Sequence, residues 1–290
     1  MKPRQIRGDV FWMGAIDWNR RLFDSLIPLP DGTSYNAYLV KGDEKTALID
    51  TVDPALFETL KRQLADVPRV DYLVAQHAEQ DHAGSIPAVL AMYPEAVVVC
   101  TPKAKPLLID HLGLDETRIR TVADGETLAL GGKTLQFFHT PWVHWPETMV
   151  TYDLSEKVLF SCDAFGSYGA LDGSLFDDTC LNLSYYENEA LRYYTNIIAA
   201  FSKHVISAIE KLKDLPIEVV APSHGLIWRK NPARIIQLYQ RWAAYGSEPA
   251  EPGVTLLYGT MYRNTEHAVN YAAEAIANEG VPLEVFNVGN

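Results

Sequence analysis

His77-Ala78-Glu79-Gln80-Asp81-His82 crowds four strong metal-binding side chains into six residues. The stretch follows a short buried-type strand, Val70–Ala75, and precedes Gly84-Ser85, where a helix opens. Alternate side chains of an extended segment point the same way, so His77, Glu79 and Asp81 can converge, with His82 adding an imidazole where the chain turns. Any one of these residues alone would read as a surface or hydrogen-bonded side chain. Together, at a strand terminus before a glycine, they read as a metal site. So short a stretch cannot close a two-metal site, and further ligands are expected from other strand ends. His144 lies in Thr140-Pro-Trp-Val-His144 after the strand Leu135–His139, Asp163 ends the strand Val158–Cys162, and His224 follows the strand Glu218–Ala221 in Pro222-Ser-His-Gly225. His111, His139, His204 and His267 have no such setting and read as structural or surface residues.

Outward from this motif, strands dominate the first half. Thr33–Val40 and Lys45–Asp50 flank the turn Lys41-Gly-Asp-Glu44 as a hairpin, and Leu56, Leu60 and Leu64 mark a helix over Pro54–Leu64. Val97–Cys100 is another strand, and a meander of short strands runs from Leu128 to Ser161. From Glu187 the pattern turns helical to about Leu212, then come the strand Glu218–Ala221 and a helix over Pro232–Tyr245. Two similar rounds, roughly 35–150 and 150–245, suit a layered sheet sandwich with helices outside. After the Pro/Gly/Glu-rich Gly246–Gly253 the pattern restarts as strand Val254–Tyr258, helix Glu266–Asn278 and strand Leu283–Asn287. That single βαβ unit is far short of the ~100–150 residues of a usual domain.

The 290 residues, 48% apolar and 21% charged, exclude a disordered or collagen-like chain. A net charge of −12 argues against a nucleic-acid partner. Met1-Lys-Pro-Arg opens with no apolar core or cleavage site, and no stretch approaches the ~20 apolar residues that span a bilayer, so a cytoplasmic protein without a membrane partner is expected. Cys100, Cys162 and Cys180 form no CxxC pair, which leaves neither a disulfide framework nor a zinc ribbon.

HxExDH followed by a distant His, Asp and His resembles the metallo-β-lactamase fold, and more narrowly the flavodiiron proteins, which reduce dioxygen or nitric oxide. Tyr35-Asn-Ala-Tyr-Leu39, Leu48-Ile-Asp-Thr51, His144-Trp-Pro-Glu-Thr-Met149, Arg192-Tyr-Tyr-Thr-Asn196 and Ser223-His-Gly225 carry the likeness along almost the whole chain. The resemblance implies an α/β (α+β) fold, an αββα sandwich, holding two non-haem iron ions. His77, Glu79 and His144 would hold one iron, Asp81 and His224 the other, with Asp163 bridging; His82 is the member on which related proteins differ. Hydrolases of this fold carry HxHxDH. Glu79 makes a third carboxylate beside Asp81 and Asp163, and so leaves one positive charge rather than two on a pair of divalent ions, which favours the ferric state over activation of water. Phe23-Asp24 stands where many relatives have Phe-His, so no role for a histidine there is carried over.

Tyr258-Gly-Thr-Met-Tyr-Arg-Asn-Thr265 resembles the phosphate loop of flavodoxins, with Thr260, Tyr262, Asn264 and Thr265 matching the residues that cradle FMN phosphate. The expected organisation is a diiron domain over 1–246, a linker over 247–253 and an incomplete flavodoxin-like domain over 254–290. No stable FMN site and no self-sufficient turnover are expected of such a chain. The family implies a head-to-tail homodimer whose partner subunit supplies FMN, with electrons from rubredoxin, a flavoprotein reductase or F420H2. Two alternatives stand beside this reading: a binuclear zinc hydrolase of the glyoxalase II or lactonase kind, and a metal-binding domain without turnover. Trp145, Tyr194 and Trp228 are expected to pack the core.

Overall fold

The computed structural model describes residues 2–247, 249 and 251–289. It divides into two compact units, Met1–Gly246 and Ser247–Asn290. Of the segment read as a linker, Glu248 and Ala250 lie outside the described residues.

The first unit holds two large sheets. One runs in the order Arg4–Arg7, Val10–Trp12, Tyr38–Lys41, Thr46–Ile49, Tyr72–Val74, Val97–Cys100 and Ile119–Thr121. Its first four strands pair antiparallel, and pairing is parallel from Thr46–Ile49 onward. Parallel neighbours need crossovers, and the helices Phe57–Leu64, Ile86–Met92 and Ala104–Leu112 occupy them. The other sheet runs Thr127–Ala129, Thr134–His139, Met149–Asp153, Val158–Phe160 and Val219–Ala221, antiparallel except for its last pair.

Strand alternation explains the layering. Tyr38, Val40, Ala47, Ile49, Val74 and Val99 face the second sheet and share its core with Leu135, Phe137, Val150 and Leu159. Their neighbours Leu39, Leu48, Leu73 and Val98 point the other way and pack against Leu60, Leu64, Ile86, Val89 and Leu108 of the crossover helices. A sheet apolar on both faces must be covered on both. The result is the αββα sandwich expected from the sequence.

The sheets divide near residues 122–126 rather than near 150, because Thr134–His139 and Met149–Asp153 both pair within the second sheet. The long helical stripe is also broken. Leu183–Tyr193 passes into a π-helical turn, Tyr194–Ile198, before the helix Ser202–Leu212. Thr33–Val40 is two strands, since Thr33–Tyr35 pairs with Ala15–Asp17 while Tyr38–Lys41 joins the large sheet.

The second unit is a parallel pair, Val254–Tyr258 and Leu283–Asn287, with the helix Asn264–Asn278 between them in sequence. None of the helix residues is buried, and Leu257, Tyr271 and Phe286 are exposed. Among the described residues no helix is long and apolar enough to cross a membrane.

Candidate metal centre

The strand Tyr72–Val74 delivers the chain to the site, and Asp50 pins its exit. The two carboxylate oxygens of Asp50 accept from the backbone and side-chain amides of Gln76 at 2.8 and 2.9 Å. The motif beyond is not extended throughout. Glu79 is the last extended residue, and Gln80–Ala83 closes a helical turn as Ala83 N–H donates to Glu79 C=O at 2.8 Å. Asp81 therefore does not point with His77 and Glu79; the turn carries it to the far side of the site. Asp50 and Cys162 adopt left-handed backbone at φ 54°, a conformation worth ~1–3 kcal/mol of strain for a non-glycine residue. Both stand where a strand ends and the chain must swing a side chain into the site. Gly225 allows the close turn behind His224, because a Cβ there would collide with the Ser167 hydroxyl.

All seven residues singled out from the sequence come together, in two groups about Asp163. On one side His77 Nε2 lies 3.1 Å and His144 Nε2 3.3 Å from Glu79 Oε2. The same two nitrogens lie 3.6 and 3.5 Å from Asp163 Oδ2. On the other side His82 Nε2 and His224 Nε2 each lie 3.4 Å from the Asp81 carboxylate, and 3.1 and 3.4 Å from Asp163 Oδ1. Each group offers two imidazole nitrogens, one carboxylate of its own and one oxygen of Asp163. The ligand atoms of His77, His144 and Asp163, and those of Asp81, His82 and His224, lie within 4.8 Å of one another.

These residues fit a metal pair. His82 Nε2, His224 Nε2 and Asp81 Oδ1 are buried without a hydrogen-bond partner, a state that native structures rarely leave unresolved. The ring nitrogens away from the site are held in turn: His77 Nδ1 meets Glu147 Oε1 at 2.7 Å, and His224 Nδ1 meets the Ser34 carbonyl at 2.8 Å. Such outer bonds orient metal-binding imidazoles and set their tautomer. The Cys162 thiol lies near, 3.8 Å from Asp163 Oδ2 and grouped with Asp50 and His82, and burial pushes it well above its usual range. An all-nitrogen-and-oxygen set of this kind suits iron or zinc.

The carboxylates and imidazoles of the site shift one another's protonation. Burial opposes a charged His77, but the hydrogen bonds with Glu147 and Glu79 outweigh it and push the ring up to about 10. Burial is likewise outweighed at His224, pushed up to about 9 by Asp163 and Asp81, and at His82, held well above its usual value chiefly by the charge of Asp163. Burial resists ionisation of Glu79 and Asp163 too. His144 and His77 nonetheless hold Glu79 below the usual carboxylate range, and His82 and His224 do so for Asp163.

Three neighbours were not singled out as functional from the sequence. Tyr193, in the Arg192–Asn196 motif, donates from its hydroxyl to Asp163 Oδ1 at 2.9 Å. Glu147, in the His144–Met149 motif, holds His77. Phe23, on a two-stranded ribbon of Leu22–Phe23 and Ile27–Pro28, sets its ring 5.3 Å from that of His224. For all three the signal in the sequence is membership in a quoted motif, Phe23 through Phe23-Asp24. Trp145 packs against the site itself, its ring meeting that of His77 edge-on at 4.9 Å. Tyr194 and Trp228 are buried in the core. Thr260, Tyr262, Asn264 and Thr265 lie at the turn into the helix Asn264–Asn278, whose start has no side-chain cap.

An ODP family beta-lactamase domain matches residues 33–225. A nitric oxide reductase from Moorella thermoacetica is 37% identical over 99% of this chain and 72% of its own length. The chain belongs to the flavodiiron family. Another relative, an anaerobic nitric oxide reductase flavorubredoxin from Salmonella arizonae, is 37% identical over 98% of this chain and 60% of its own length. The rubredoxin oxygen:oxidoreductase of Desulfovibrio gigas superposes with a TM-score of 0.89 at 33% identity, over 98% of this chain and 71% of that one. The chain thus spans between 60% and 72% of these flavodiiron relatives. Oxidoreductases, not hydrolases, are what the relatives of this flavodiiron chain are named, and the zinc-hydrolase alternative is not favoured.

Proposed function

We propose that the chain holds two iron ions and serves the reduction of nitric oxide to nitrous oxide or of dioxygen to water, with electrons arriving through FMN. The observation that carries this reading is Asp163, whose two oxygens each face a separate group of two imidazoles and a carboxylate. His77, Glu79 and His144 would hold one ion, and Asp81, His82 and His224 the other. Bound ferrous ions would supply electrons and positions at which the gas binds. The protein's part is positioning and exclusion of water. Asp163 keeps the two groups in register, and the Tyr193 hydroxyl fixes Asp163 Oδ1. Phe23, Tyr35 and Tyr193 stand edge-on or tilted against the His224 ring and wall that side with apolar surface. Glu79, Asp81 and His144 reach solvent more than the buried His77, His82 and His224, which leaves the open side of the site at those three residues.

The same reading makes residues 1–246 the diiron domain and 254–290 part of a flavodoxin-like one. Thr260, Tyr262, Asn264 and Thr265 would hold the FMN phosphate at the uncapped helix start. A head-to-tail homodimer would bring FMN to the irons from the partner subunit. Rubredoxin, a flavoprotein reductase or F420H2 in the cytoplasm would be the donor. The test is anaerobic loading with ferrous iron followed by rapid mixing with nitric oxide or oxygen. Gas consumption is expected, with about one nitrous oxide formed per pair of irons when no donor is added, since each ferrous ion yields one electron. A protein that ignores both gases but hydrolyses esters once loaded with zinc would contradict the proposal.

A further inference from the structure

Glu147 is fully buried, and nothing in the metal centre as described requires it to be charged. Its Oε1 accepts from His77 Nδ1 at 2.7 Å and from the Ala78 amide at 3.1 Å. Its Oε2 is buried with no partner, and among the described residues no lysine or arginine pairs with it. The backbone of this loop is held as well: Thr101 Oγ1 donates to the Glu147 main-chain carbonyl at 2.8 Å, and Met149 N–H donates to the Gln76 carbonyl at 3.0 Å. A buried carboxylate with a single ionic partner directs its charge onto that partner. Here the partner is an imidazole whose other nitrogen faces the metal site.

The opposite group is backed differently. His224 Nδ1 meets only the neutral carbonyl of Ser34. Asp50 is a buried carboxylate within 4.8 Å of a His82 ring nitrogen and adds its charge there, but the hydrogen bonds its two oxygens accept come from Gln76 rather than from an imidazole. The two groups offer the same donor types to a metal, so what distinguishes them lies behind the rings. We propose that Glu147 is a positioning residue that fixes His77 with Nε2 toward the metal and strengthens it as a donor. It thereby makes the group of His77, Glu79 and His144 the tighter of the two iron sites. This rests on the diiron reading above.

The test is anaerobic titration of the full chain with ferrous iron alone, followed by Mössbauer spectra at each step, for the wild type and for E147Q, E147D and E147A. Wild type must take up two irons per chain; fewer would overturn the diiron reading itself rather than the role of Glu147. E147Q keeps an acceptor for His77 but removes the charge. It is expected to weaken one iron by about tenfold, within the range for loss of an outer partner, and to move one of the two doublets. E147D should lose less and E147A more. Two irons bound as in wild type by E147Q, or an equal loss at both, would overturn the proposal, since a general structural role does not discriminate between the groups. If E147Q fails to fold, E147D carries the test: it is expected to weaken one iron selectively, by less than about tenfold, and wild-type binding or an equal loss at both irons would overturn the proposal.

Discussion

The two halves of the metal centre present the same donors but are built differently. The half of His77, Glu79 and His144 comes from a loop and a strand exit, with a carboxylate behind one ring. The half of Asp81, His82 and His224 rests on a helical turn and a glycine-supported bend, with a backbone carbonyl behind His224. Only Asp163 belongs to both, one oxygen to each. Donor type is therefore matched while second contacts are not, and variants can be chosen to act on both halves, on one, or on the balance between them.

The largest effect is expected at the shared residue. Asp163→Asn replaces a bridging carboxylate with an amide and should lower affinity at both halves by more than the ~10–100-fold typical of losing an outer partner. Metal content after dialysis against a weak chelator reads this directly. Retention of two tightly held ions would break the comparison at its centre.

His144→Ala and His224→Ala form the next pair. Each should leave about one ion per chain, and the two remaining ions should have different spectra, because each variant spares the other half. Identical spectra would mean that the halves are not independent.

A third expectation concerns pH. In the metal-free protein His77 is pushed up to about 10 and His224 to about 9, against 6.5 for an ordinary histidine. The folded state then holds more protons than the unfolded one between these values, so the stability these rings contribute is full below about 6.5 and is lost as pH rises through 9–10. Thermal melts of metal-free protein should fall from pH 6.5 to pH 9.5. Metal-loaded protein should lack this fall, since the ions have replaced the protons. The smallest effect is expected from Tyr193→Phe, which removes one hydrogen bond to a charged oxygen, about 1.5–3 kcal/mol at most. Because the bond is to Oδ1, the change should appear in the half of Asp81, His82 and His224.

The candidate ligands are legible in the sequence because they stand where apolar strands end, and strand ends can be read without knowing which strands pair. The sheet boundary was not, since His139 and Met149 belong to one sheet by a pairing that no local pattern encodes. Strand alternation groups Asp81 with His77 and Glu79, while the family resemblance groups it with His224; the helical turn Gln80–Ala83, which alternation does not register, carries it to the His224 side. Tyr193 and Glu147 were hidden for a different reason. An aromatic on a helix face and a glutamate in a loop are ordinary, and only tertiary packing brings them to within 2.9 Å of Asp163 and 2.7 Å of His77. The ribbon carrying Phe23 has strands of two residues, too short to leave a periodic signal.

The central claim is that one carboxylate joins two metal half-sites. Iron content and the Mössbauer spectrum of the anaerobically reconstituted chain test it most directly. Two irons per chain, in two ferrous doublets of equal area, is the predicted result. One iron per chain, or two irons held as tightly by Asp163→Asn as by the wild type, would contradict it.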